Sequence, residues 1–200
     1  MGGYTPMHRI LINTQKEKAM ALCDYILEND IQSSCVGNVK GAKPDGLIIN
    51  RSDINMAGVT YDKDNPFIIT ALPLNVGKQA YDIVQSGKTP FSGTQQELQE
   101  GTYINTYTNT VQFVILNQGT TTAEQVFALM NGDFVVVLQN NAMNTYQVYG
   151  IESGLKASAL VRELYSDDTL SGWLVTMTDE NAVKGNLFID KTIYESLKGE

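Results

Sequence analysis

Positive charge is missing from a third of this chain. Between Thr89 and Leu155, 67 consecutive positions, there is no Lys, Arg or His. The ionisable acids of that stretch are Glu97, Glu100, Glu124, Asp133 and Glu152, a net charge of -5. Thr, Asn, Gln, Tyr and short runs of Val, Ile, Leu and Phe fill the rest. A surface made from it is neutral to acidic and rich in hydrogen-bonding groups. It cannot hold a nucleic-acid phosphate, because backbone binding is driven by Lys and Arg displacing counterions. A polyanion can slide past it.

Other scarcities narrow the chemistry further. The two cysteines, Cys23 and Cys35, form no CxxC pair and stand in no Cys/His cluster, which argues against a zinc site. They read as reduced thiols. His8 is the sole histidine, so a histidine-based triad would have to be built on it alone. Apolar runs are short, Phe134–Leu138 being representative, and none approaches a membrane span. The first residues lack a signal-peptide pattern, and the expectation is a chain that is used without Sec export and away from membranes.

What remains is an ordinary globular composition with an acidic bias. Of 200 residues, 42% are hydrophobic, and the net charge is -8. The first hundred residues contribute -2 (9 basic, 11 acidic) and the second hundred -6 (5 basic, 11 acidic). That balance favours solubility and disfavours anionic partners.

Periodicity predicts a helix over Lys16–Glu28, where Ala19, Leu22, Cys23, Ile26 and Leu27 recur at helical spacing. Ser33–Asp45 reads as a loop. Strands are predicted at Gly46–Asn50, Phe67–Leu74, Ala80–Val84, Val111–Leu116, Asp133–Gln139, Thr145–Ile151, Gly172–Thr178 and Gly185–Ile189, while Leu155–Tyr165 fits helix or strand, its alternation favouring strand. Thr102–Tyr107 alternates as a polar, β-prone ribbon. Thr120–Asn131 reads as a second helix, capped by Thr121 or Thr122 and ended by Asn131-Gly132. Asn140–Asn144 and Ser166–Gly172 read as turns, and Thr192–Leu197 as a final helical turn. The sum predicts a β-rich α+β fold: an antiparallel sandwich or barrel with one packed internal helix. The division expected is an N-terminal arm with a helix over 1–45 and a β domain over 46–200.

No motif names a reaction. Ser86-Gly87-Lys88-Thr89 resembles the end of a phosphate loop, but Asp82 stands where that loop needs its first glycine. Asp62, Asp64 and Asn65 suggest a calcium loop that lacks its glycine and distal glutamate. Glu163 and Asp167-Asp168 could pair carboxylates for glycoside hydrolysis, but adjacent acids in a turn are ordinarily just solvated. Asn50-Arg51-Ser52 matches a glycosylation acceptor, without meaning in an unsecreted chain. Tyr103, Tyr107, Tyr146 and Tyr149 could form a stacking platform, or a tyrosine-rich subunit interface. No cofactor and no metal site is expected.

Five stretches carry a resemblance: NPFIITALPLNVGKQAY (65–81), KTPFSGTQQELQEGTY (88–103), VFALMNGDFVVVLQN (126–140), YQVYGIESGLKASALVREL (146–164) and GWLVTMTDENAVKGNLF (172–188). Together they resemble virion structural proteins of tailed phages and prophages of Bacteroides-like bacteria. Their arrangement over residues 46 to 190 is similar to the tail-tube family. The resemblance implies stacked homo-oligomeric rings, commonly hexamers, whose sheets join into an inner barrel. It implies other virion proteins as neighbours, DNA as non-specific passing cargo, and assembly in the host cytoplasm. It places Thr102–Leu116 and Asp133–Ile151 on the shared barrel, Ser86–Gly101 between rings, and Glu97, Glu100 and Glu152 on an acidic lumen. Phe91, Tyr103, Tyr107, Tyr146 and Tyr149 would lie in the subunit interface, and the N-terminal helix would be a docking arm. The competing expectations are a head-decoration or head–tail connector protein, a monomeric carbohydrate-binding sandwich and, last, an enzyme.

Overall fold

A computed structural model describes residues 41–117, 119–141, 145–162 and 172–199. His8, the Lys16–Glu28 helix, Cys23, Cys35, Glu163 and Asp167-Asp168 lie outside the described residues, as does most of the Ser166–Gly172 turn. The described residues belong to one compact unit, Val36–Glu200.

The strands are β1 (Ala42–Asn50), β2 (Thr60–Tyr61), β3 (Ile68–Ala71), β4 (Tyr81–Val84), β5 (Gln95–Gln99), β6 (Thr106–Ile115), β7 (Phe134–Asn140), β8 (Tyr146–Tyr149), β9 (Lys156–Arg162), β10 (Trp173–Ala182) and β11 (Leu187–Ile189). The helices are α1 (Thr120–Asn131) and α2 (Lys191–Lys198). The β-rich α+β class is as expected. Sheets are two and separate: β2-β3-β11-β8-β7-β1-β4, and β5-β6-β10-β9. The fold is therefore sandwich-like rather than one closed barrel. Pairing is antiparallel except between β3 and β11, which run parallel.

Strand register explains the layers. In β7, Phe134 through Leu138 are all buried, because both faces of the seven-stranded sheet are covered. Val135 and Val137 pack with Leu47, Ile49, Tyr194 and Leu197 toward α2. Phe134, Val136 and Leu138 pack with Val111, Phe113, Val175 and Met177 of the second sheet. A run of apolar residues in one strand is the mark of a strand buried on both sides. Strands β6 and β10 alternate instead, since only their inward faces are covered.

Several boundaries differ from the expected ones. β1 starts at Ala42, before the 45/46 boundary. β6 begins at Thr106, and residues 102–105 form a loop, so the alternation read from Thr102 starts one turn too early. β5 is not apparent from local sequence, because QQELQ has little β propensity and owes its conformation to pairing with β6. α1 is capped by Gly119, whose carbonyl accepts the amides of Thr122 and Ala123. Thr122 is buried on the packed face of α1, which removes it from a capping role.

Candidate functional site

Register fixes the outward face of the four-stranded sheet. Gln95, Glu97 and Gln99 stand opposite Thr110, Thr108 and Thr106. Thr110, Gln112 and Val114 stand opposite Thr178, Thr176 and Leu174. These in turn face Lys156, Ala159 and Val161 of β9. Asn109, Val111 and Phe113, one residue out of phase, point inward with Asp179, Met177 and Val175. The outward face is thus a lattice of threonine and glutamine with a small apolar row at one end. Gln112 Nε2 donates to Thr176 Oγ1 across it at 3.1 Å. Its cation in register, Lys156, has Asp133 at 3.6 Å. Beyond the end of β5, the edge of β6 is sealed by side chains. Gln85 accepts from the Val114 amide (2.9 Å) and donates to its carbonyl (3.1 Å), as a strand would. Thr94 Oγ1 accepts from the Gln112 amide.

The expected site residues do not gather. Glu97, on β5, is exposed, and its Oε1 accepts from Gln95 Nε2 at 3.0 Å. Glu100 follows in the exposed β5–β6 loop. Among the described residues neither forms an ion pair. Glu152 lies elsewhere, in the β8–β9 loop, where Oε2 accepts from the amides of Val183 (2.6 Å) and Lys184 (3.2 Å). Its half-buried carboxylate braces the β8–β9 loop against Val183 and Lys184, apart from Glu97 and Glu100. Within the Asp133–Ile151 segment, β7 and β8 are interior strands of the covered seven-stranded sheet.

The aromatic set divides by burial. Phe91 is buried, with its ring against Gly46, whose hydrogen leaves room that a Cβ would fill. Tyr146 is buried and stacks on Tyr194 with ring centroids 4.4 Å apart. Tyr149 is buried and donates to Gln147 Oε1 at 3.0 Å. Burial pushes its hydroxyl up to about 12. These three are core residues of the protomer. Tyr107 is half-buried beside Gly185. Tyr103 stands at 99% exposure and is the member of the set that solvent reaches freely. The tyrosines form no common platform.

A buried polar network was not foreseen. Gln96 Nε2 donates to Asn109 Oδ1 at 2.6 Å, and Asn109 Nδ2 donates to Asp179 Oδ2 at 3.4 Å. Ser153 Oγ donates to the other Asp179 oxygen. Arg51 Nη2 donates to the Glu152 carbonyl at 2.7 Å and holds the same loop. Burial raises the Asp179 carboxyl above its ordinary range, against the hydrogen bonds from Ser153 and Asn109. The signal for this network was available: Asn109 and Asp179 are polar residues in the inward phase of alternating strands. The Ser153–Asp179 hydrogen bond ties the β8–β9 loop to β10.

A second buried acid, Asp53, accepts from Asn50 Nδ2 at 2.8 Å and pairs with Lys78 Nζ at 3.0 Å. The Asn50 hydrogen bond, then Lys78, hold its carboxyl below the ordinary range. Asp62 uses Oδ1 to accept from the amides of Asp64 and Asn65, so the calcium-like segment is a self-capped turn. Among the described residues no three His, Cys, Asp or Glu side chains cluster as metal ligands, and no helix is long and apolar enough to cross a membrane. No protein-family model, curated protein or solved structure matches the chain.

Proposed function

We propose that this chain is a structural subunit of a tailed-phage virion, a tail-tube protein whose rings stack around a channel for DNA. The observation that carries the reading is the outward face of β5-β6-β10-β9. It offers threonine and glutamine hydroxyl and amide groups, the carboxylate of Glu97, and the ion-paired Lys156. Duplex DNA finds no array of cations there to displace its counterions, so it is not retained. The covered seven-stranded sheet then serves as the outer scaffold. Glu97 and Glu100 remain the lumen acids in this reading. Partners are further copies of the chain and neighbouring virion proteins, and the cargo is bound by neither sequence nor charge.

The test is to give the face what it lacks. Thr108→Lys, Thr176→Lys and Glu97→Lys together should leave ring formation intact. They should create salt-dependent retention of duplex DNA in a gel-shift assay and reduce DNA delivery by particles carrying the variant. Normal delivery by particles that contain the triple variant would sink the lumen assignment.

A further inference from the structure

The four-stranded sheet ends in two different edges, and each carries exposed apolar side chains of a kind the other could cover. At one end is the β5–β6 hairpin. Its tip is held by Asn105 Oδ1, which accepts from the Gly101 amide. That closure presents Tyr103 at 99% and Ile104 at 42% exposure, with Leu98 at 53% just behind. At the other end, α1 lies along β9. Between them runs a shallow groove of about 350 Å³, lined by Met130, Ala157, Ser158, Ala159, Leu160 and Trp173. Of its lining residues Met130 is 57% exposed, and Phe127, on the preceding turn of α1, and Val161, next to Leu160 on β9, are exposed at 68% and 42%. Neighbouring exposed apolar side chains at each of these two edges form patches of the kind that mark contact surfaces.

Charge fits the same pairing. The segment from Gln95 to Asn105 carries Glu97 and Glu100 and no cation. The β9 strand carries Lys156 and Arg162 and no acid, with the Arg162 guanidinium 5.7 Å from the centre of the Trp173 ring at the groove. One edge carries two acids and an apolar tip; the other sets the Arg162 guanidinium against an apolar groove, with Lys156 held by Asp133.

We infer that the β5–β6 hairpin of one copy of this chain seats Tyr103 and Ile104 in the α1–β9 groove of the next copy. The occupant is thus a second copy, bound head to tail. Because the two surfaces differ and lie at opposite edges of one sheet, each copy keeps a free hairpin and a free groove. Such a heterologous contact propagates, closing into a ring when its rotation allows. This inference rests on the ring-forming reading above and supplies its contact residues.

Two double variants test it. Tyr103→Asp with Ile104→Asp breaks the hairpin, and Phe127→Asp with Met130→Asp breaks the groove. All four side chains are exposed, so circular dichroism and the thermal midpoint should match wild type. In sedimentation velocity over a concentration series, each variant should associate at least roughly 30-fold more weakly than wild type, the loss expected for hot-spot residues. An equimolar mixture of the two should form 1:1 dimers and stop there, since one intact hairpin and one intact groove remain. Rings that persist in both variants would overturn the inference and leave the tube reading standing. Oligomers that require both surfaces but never form rings would uphold the contact and sink the tube. A wild-type chain that stays monomeric throughout would overturn both.

Discussion

β7 and β6 are central strands of their sheets and are finished in opposite ways. β7 buries Phe134 through Leu138 without a break, with α2 on one side and the second sheet on the other. β6 buries Asn109, Val111 and Phe113 and leaves Thr106, Thr108, Thr110 and Gln112 on an uncovered face. The acids divide the same way. Asp53, Glu152 and Asp179 accept hydrogen bonds that tie separate segments together, whereas Glu97 and Glu100 are exposed, Glu97 accepting from its neighbour Gln95. The contrast separates residues that hold the fold from residues available to act, although both kinds occur in the same cation-free stretch.

The largest effect that can break this contrast lies in β7. Phe134 packs between the sheets, and its carbonyl and ring crowd Gly150 and Gly132. Phe134→Ala should lower stability by about 3–5 kcal/mol. Thr108→Ala, on the free face of β6, should change it by no more than about 0.5 kcal/mol. Urea denaturation of both variants is the check, and equal losses would mean that the outward face is not free.

The two buried aspartates should then differ in the sign of their pH dependence. The Asp53 carboxyl lies below its ordinary 3.8, so the folded chain binds fewer protons there than the unfolded chain. Its contribution is in place above 3.8 and is lost as pH falls through the lower folded value. Asp179 is shifted upward. Its contribution is full below 3.8 and is lost as pH rises through the raised folded value. Asp53→Asn should therefore cost about 1–3 kcal/mol at pH 7, with the deficit shrinking toward pH 3. Asp179→Asn should remove the part of the pH dependence in which stability falls as pH rises, so that it gains on wild type toward pH 7. Thermal midpoints measured from pH 3 to pH 7 read both, and slopes of the same sign would contradict the assignment.

A smaller effect separates the acids once grouped together. Glu152→Ala deprives the Val183 and Lys184 amides of their acceptor and should cost about 1 kcal/mol. Glu97→Ala should leave stability within about 0.5 kcal/mol of wild type. Equal stability of the two variants would return Glu152 to the group of surface acids.

Much of the fold was legible because alternation and helical spacing are local. The α1 bounds, the long run of β7 and the inward phase of Trp173, Val175 and Met177 follow from apolar spacing alone. What was not legible depends on partners distant in sequence. Gln95–Gln99 becomes a strand through β6, and Gln85 seals a sheet edge 29 residues away. The site was less legible still. Charge pattern marks Glu97, Glu100 and Glu152 alike, and only the fold sends Glu152 to brace a loop. Residue type likewise marks all the aromatics as candidates for an interface, while packing takes Phe91, Tyr146 and Tyr149 into the core and leaves Tyr103 at a hairpin tip.

The most direct test of the central claim is negative-stain electron microscopy of the purified chain at high concentration, with mass in solution measured alongside. The account predicts rings or stacked tubes with a central hole, in equilibrium with smaller species on dilution. A strict monomer of 22.0 kDa at every concentration would contradict it.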